Sequence, residues 1–155
     1  TVDLQTLLAS ALEAGLSEIE RGRHELELDV PTEPVFVNVD AGRMIQVLSN
    51  LLVNAAKYTP EGGHIKLLAK AEQADLIIEV SDDGIGIDPV DLPTIFGMFV
   101  QVSDKRAGDK GGLGVGLALV ERLVHLHGGT VTASSDGLGL GAKFTLRLPS
   151  AVLGA

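Results

Sequence analysis

Glycine is spread unevenly along this chain, and its placement limits what the chain can fold into. Of 19 glycines in 155 residues, fourteen lie at or beyond Gly84. Most of these fall into three groups. Gly84-Ile85-Gly86 follows an apolar run, Gly111-Gly112-Leu113-Gly114-Val115-Gly116 opens a helical pattern, and Gly137-Leu138-Gly139-Leu140-Gly141 separates two strand patterns. There is no collagen-like period, and 45% of the chain is hydrophobic, so low-complexity disorder is a poor explanation. The remaining reading is an ordered domain whose backbone packs closely, or approaches a ligand, at the places where side chains are missing.

The length suits a single domain over residues 1–155, large enough for one substantial core. Its aromatics are Phe36, Tyr58, Phe96, Phe99 and Phe144, so Leu, Val, Ile and Ala must build that core. A net charge of −9 opposes non-specific binding to nucleic acid or anionic lipid, and any phosphate ligand must be held by local geometry. Zero cysteines exclude disulfides, thiolate metal sites and a cysteine nucleophile. No apolar run approaches the roughly 18 residues of a membrane span, and no signal peptide opens the chain. A soluble domain is expected.

Leu4, Leu7, Leu8, Ala11 and Leu12 recur at helical spacing, which predicts a helix from residue 3 to about 19 with Asp3 as N-cap. Residues 24–30 alternate as a strand with Leu26, Leu28 and Val30 inward, and a short strand over 35–39 leads to Asp40, a second N-cap. A helix follows from about Ala41 to Tyr58, stopped by Thr59-Pro60-Glu61-Gly62-Gly63. Residues 65–71 and 76–80 read as paired strands. A brief helix is expected within 88–96, with Pro89 at its first position. Residues 97 to about 112 show no periodicity, and a loop of that length in a compact domain is usually a lid or binding loop. A helix over 113–127, with Leu117, Val120, Leu123 and Val124 inward, and strands over 130–134 and 142–148 complete the pattern. Three long helices beside mostly hairpin-linked strands predict an α+β fold. It is a two-layer sandwich with a mixed, mostly antiparallel sheet and the helices on one face.

Three constellations bear chemistry. Glycines at 112, 114 and 116 would let backbone N–H groups converge where a helix begins, a place that favours anions. This group is neither a P-loop nor a G-x-G-x-x-G fingerprint, and a glycine turn for tight packing is its bland alternative. Arg43, Gln46, Asn50, Asn54 and Lys57 form one polar stripe on an otherwise apolar helix. Asparagine costs roughly 0.6 kcal/mol relative to alanine inside a helix, so two of them one turn apart suggest a task. An amide oxygen suits Mg²⁺ and a lysine suits phosphate, although bonds to neighbouring backbone are equally open. Asp82 ends an apolar strand just before Gly84, where a carboxylate can accept from an adenine amino group or merely shape an Asp-Gly turn. His24, His64, His125 and His127 show no ligand spacing with carboxylates, and the last two are expected to serve a helix C-terminus.

In this order the groups resemble the catalytic, ATP-binding domain of sensor histidine kinases. Its superfamily includes type II topoisomerases, heat-shock chaperones and mismatch-repair ATPases. Asn50-Leu51-Leu52-Val53-Asn54-Ala55-Ala56-Lys57-Tyr58-Thr59-Pro60 looks like the N box, Asp82-x-Gly84-x-Gly86-Ile87 like the G1 box, and Ile95-Phe96-Gly97-Met98-Phe99 like the F box. Gly111-Gly112-Leu113-Gly114-x-Gly116-Leu117 looks like the G2 box, and Gly139-x-Gly141-Ala142-x-Phe144 like the last glycine box. The resemblance covers residues 2–149.

It implies ATP and Mg²⁺ as ligands. Asn54 would coordinate the metal with Asn50 in or near its shell, Lys57 would meet the phosphates, and Tyr58 would lie against the nucleotide. Asp82 would accept from adenine, Gly84 and Gly86 would floor the pocket, and Ile87 and Phe99 would line it. Gly112, Leu113, Gly114, Val115, Gly116 and Leu117 would face the phosphates, and residues 97–112 would form the ATP lid, with Arg106, Lys105 or Lys110 meeting phosphate. Two departures stand out: Asp83 where the family usually has Asn, and Ala142 where many members have Ser or Thr. ATP-hydrolysing branches place a Glu one turn before the metal Asn; Asn50 is a poor base, which favours transfer to a protein nucleophile.

The phosphoacceptor His would sit on a separate dimerisation domain, and the phosphoryl group would pass on to a response regulator receiver domain. The chain reads as an excised catalytic domain, inactive in autophosphorylation alone, monomeric and cytoplasmic. Its parent would be a homodimer, with a membrane anchor left open. A serine kinase of the anti-sigma-factor type and a non-catalytic nucleotide-binding signalling module are the alternatives.

Overall fold

The computed structural model describes residues 1–97 and 115–154. Its elements run β1 (Val2–Asp3), α1 (Leu4–Arg21), β2 (Glu25–Asp29), β3 (Phe36–Val37), α2 (Ala41–Lys57), β4 (His64–Glu72), β5 (Asp75–Asp82), α3 (Val115–Leu126), β6 (Thr130–Ser134) and β7 (Ala142–Leu148). Both expected N-caps form. Asp3 accepts from the Gln5 N–H at 3.3 Å, and Asp40 from the Arg43 N–H at 3.1 Å. Each satisfies one donor that the first helical turn leaves without a partner.

A five-stranded sheet has the order β2-β4-β5-β7-β6, and β1 pairs with β3 as a separate ribbon. The β2–β4 pair is parallel, and the other neighbours in the large sheet are antiparallel. Strand alternation decides which face is covered. Ile65, Leu67 and Ala69 of β4, Leu76, Ile78 and Val80 of β5, and Phe144, Leu146 and Leu148 of β7 are buried. Met44, Val47, Leu48, Leu51, Leu52, Ala55 and Ala56 of α2 are buried with them in one core cluster. α2 lies between α1 and α3 and touches β5, so its apolar face is enclosed. Each leucine so buried stabilises the fold by roughly 1.5–3 kcal/mol. The opposite face of the sheet carries cross-strand ion pairs, including Lys66–Glu27 at 3.3 Å and Arg147–Asp75 at 2.6 Å.

The predicted two-layer architecture and its largely antiparallel sheet are present, but several local expectations change. β2 is an edge strand lying beyond the helical layer, so Leu28 is 49% exposed and not inward, while Leu26 is only half-buried. The brief helix near Pro89 is a single 3₁₀ turn over Leu92–Thr94, because Asp88 and Asp91 close turns of their own first. β1 was not expected. Two residues give no periodicity, and its existence depends on pairing with Phe36 and Val37.

Candidate functional site

A cleft opens where α2, the end of β5, the start of α3 and β7 converge. Asn54 and Tyr58, one turn apart on α2 and its C-cap, form one side, and Asp82 at the end of β5 enters from another. Ile87, Ile95, Leu117 and Phe144 supply apolar walls, with Gly86 and Ala142 between them. Phe96 stacks edge-on against Phe144, with ring centroids 6.0 Å apart, and buttresses that wall from behind. This is a narrow apolar slot with a carboxylate, an amide and a phenol at its edge.

Burial pushes the Asp82 carboxyl up to about 6, and hydrogen bonds from the backbone N–H groups of Gly84 and Ala142 pull the other way. The Gly84 bond, to Oδ1, is 2.9 Å. At neutral pH the group is still mostly ionised, an acceptor-only group in poor solvent that favours a ligand N–H. Burial also raises the Tyr58 phenol, which stays a donor.

The floor is backbone. Gly86 has φ +74°, and a Cβ there would collide with the Gly137 carbonyl; one at Gly84 would collide with the Tyr58 carbonyl, and one at Gly141 with that of Asp82. The gaps are closed by hydrogen bonds from the Gly139 N–H to the Ile85 carbonyl at 2.6 Å and from the Gly141 N–H to the Gly84 carbonyl at 3.1 Å. The third glycine group is therefore the layer under the first and more than a strand connection. Ser135 joins them: its Oγ accepts from the Ile87 N–H at 3.0 Å and lies 2.6 Å from the Gly141 carbonyl, to which it donates.

Of the predicted site residues, Asn54, Tyr58, Asp82, Gly86, Ile87 and Leu117 come together at the cleft. Gly84 lies directly beneath it. Asn50 is half-buried one turn back along α2, outside the slot. Lys57 lines a neighbouring groove with Glu18, His24 and Glu61, and Gly116 sits exposed in the first turn of α3. Phe99, Arg106, Gly112, Leu113 and Gly114, the alternatives Lys105 and Lys110, and the lid beyond Gly97 lie outside the described residues, as does the side chain of Val115. The described donors include no group of three or more His, Cys, Asp or Glu able to hold a metal ion.

Three features escape the sequence. One is Ser135. Another is His24, whose Nε2 donates to the Thr59 carbonyl at 2.8 Å. The third is a Glu25–His64–Asp83 chain, with His64 Nδ1 2.7 Å from Asp83 and Nε2 3.0 Å from Glu25. The parallel register sets Glu25 opposite His64, a neighbour that linear spacing cannot show. The carboxylates on both sides raise the His64 pKa, Asp83 first. As expected, His127 serves a helix C-terminus, with Nδ1 2.8 Å from the Leu123 carbonyl.

A two-layer α/β sandwich with an apolar slot over glycine backbone, gated by an amide and a carboxylate, defines a nucleotide-binding domain. Residues 39–152 match the family described as histidine kinase-, DNA gyrase B-, and HSP90-like ATPase, and the chain belongs to that family. It is 38% identical over 133 residues to the sensor histidine kinase WalK of Bacillus subtilis, covering 83% of this chain and 22% of WalK. With the alginate biosynthesis sensor protein KinB of Pseudomonas aeruginosa it shares 37% identity over 147 residues, 95% of this chain and 24% of KinB. The chain thus spans about a quarter or less of these relatives. The mycobacterial sensor histidine kinase MprB has the same fold, with TM-score 0.82, 27% identity and 96% coverage of both chains. Full-length ShkA in complex with AMPPNP matches with TM-score 0.83 and 33% identity over 99% of this chain and 31% of that one. The likeness is to the ATP-binding catalytic domain of sensor histidine kinases.

Proposed function

We propose that this chain binds Mg–ATP and delivers its γ-phosphoryl group to a histidine on a separate dimerisation domain, from which it passes to a response regulator receiver domain. The observation that supports this most is Asp82: an ionised acceptor in an apolar slot, facing Asn54 and Tyr58 across backbone that has no side chains to intrude. The slot takes the adenine ring, Asp82 accepts from its amino group, and Tyr58 lies along the nucleotide toward the phosphates.

Asn54 would hold Mg²⁺ through its amide oxygen, with Asn50 in or near the shell, and the cation would neutralise phosphate charge. Lys57 and the backbone of residues 112–117 meet the phosphates, and Arg106 or a neighbouring lysine joins them from the lid. An imidazole nitrogen of the acceptor attacks the γ-phosphorus, the bond to the bridging oxygen breaks, and ADP leaves. Rate comes from alignment and charge neutralisation. Asn50, where a hydrolase would place a Glu, leaves water without a base.

On this reading the chain is one catalytic domain of a longer, homodimeric and cytoplasmically active kinase. It is monomeric alone and silent without its acceptor. The test is to mix it with Mg–ATP and the cognate helical-hairpin domain. Acid-labile phosphohistidine on the hairpin is expected, and acid-stable phosphoserine, or no transfer despite ATP binding, would overturn the proposal.

A further inference from the structure

The C-terminal turn of α2 places Tyr58 at the cleft and Lys57 beside it, so whatever sets that turn sets the site. Helix ends leave carbonyls without partners. Here two successive carbonyls are claimed by two different segments. The Tyr58 carbonyl accepts from the Ile85 N–H at 3.0 Å, on the pocket floor. The Thr59 carbonyl accepts from His24 Nε2 at 2.8 Å, in the loop between α1 and β2. A carbonyl can only accept, so Nε2 carries the proton. Two clamps on neighbouring peptides fix the rotation of the chain between them.

The seat of His24 is built for it. Gly22 lacks the Cβ that would strike the imidazole, and Gly63 lacks the one that would strike the Thr59 methyl. Thr59 itself is only 2% exposed. The same loops are tied independently by the Gly62 N–H to the Gly22 carbonyl at 3.0 Å and the Glu25 N–H to the Gly63 carbonyl at 2.9 Å. The ring is thus spare as a fastener of the loops, and its distinctive act is to orient the Thr59–Pro60 peptide, one beyond that of Tyr58. Among the described residues His24 Nδ1 is buried without a partner, so the ring bonds through one nitrogen.

We infer that His24 is a positioning residue of the nucleotide site, holding Tyr58 and Lys57 in register with Asp82 through the Thr59 carbonyl. The inference rests on the cleft being an ATP site. Two variants test it: His24→Phe fills the seat without a donor, and His24→Gln restores an N–H where Nε2 stood. Titration calorimetry of the 155-residue chain with Mg–ATP should show affinity falling about fivefold to tenfold in His24→Phe, the scale of one lost hydrogen bond, and near wild type in His24→Gln. A loss of melting temperature in both variants with unchanged affinity would mean a structural role only and would overturn it.

Amide exchange at Ile85 gives a reading without ligand: faster in His24→Phe, unchanged in His24→Gln. A wild-type chain that binds no Mg–ATP defeats the ATP reading, and equal exchange at Ile85 in all three chains then defeats the role of His24 as well. Should His24→Phe not fold, His24→Asn, too short to reach Thr59, takes its place.

Discussion

Asp82 shows how one residue can be set against the fold that holds it. Its carboxyl titrates near 6 in the folded chain against 3.8 in an exposed one, so the native state keeps its proton more tightly. Stability contributed by this group is therefore greatest below about pH 4 and declines as the pH rises through 6; at neutral pH the cost is up to about 3 kcal/mol. Nucleotide binding has the opposite slope, since the ionised form is the stronger acceptor of an amino N–H. Two outcomes are expected for Asp82→Asn. Mg–ATP binding collapses at pH 7.5, read by calorimetry, while urea midpoints rise and lose the portion of their decline between pH 4 and 6 that this carboxyl causes. A variant less stable than wild type at pH 7.5 would contradict this account. At this scale the sequence was informative, because an Asp at the end of an apolar run is already an anomaly. The rise in its pKa was not legible, since it depends on Leu117 and Phe144 arriving from distant segments to exclude water.

At the scale of elements, edge strand β2 is fastened at one end by chemistry that alternation could not reveal. His64 is flanked by Glu25 of β2 and by Asp83, which also accepts from the His64 backbone N–H at 2.7 Å. Protonated His64 is the form these carboxylates hold. The charge pairing is complete below pH 6.5 while both carboxylates stay ionised, and it is lost as pH rises through the elevated folded value of His64. Asp83→Asn should lower the His64 titration midpoint in an NMR pH series; an unshifted midpoint would refute the pairing. Ser135 plays the corresponding part on the other flank. Ser135→Ala leaves the Ile87 N–H without its acceptor and should cost about 1–3 kcal/mol in urea unfolding, with weaker Mg–ATP binding. Elements with strong periodicity, α1, α2 and α3, were legible because a helix declares its buried face every three or four residues. β1 and the outward turn of Leu28 were not, because partners and edges are decided by the sheet as a whole.

At the largest scale, the first and last described segments meet on β3. Leu4 donates to the Val35 carbonyl at 2.8 Å, Val2 pairs with Val37, and Val37 in turn bridges to Val152. The Asn38 N–H reaches the Ala151 carbonyl at 2.8 Å, and Leu153 donates to the Phe36 carbonyl at 2.9 Å. A chain ending at Pro149 forfeits these last bonds and the burial of Ala151, and should lose about 2–3 kcal/mol in urea unfolding while still binding Mg–ATP. Glycine spacing announced that backbone would meet something. It could not say that the third group would lie under the first, a contact spanning about fifty positions. That floor has a pharmacological corollary. Gly84, Gly86 and Gly141 each face a carbonyl that a new side chain would strike, so a competitive inhibitor seated on them presses against a surface that mutation cannot reshape. Resistance would have to arise on the walls, at Ile87, Leu117 or Ala142, where there is a side chain to exchange.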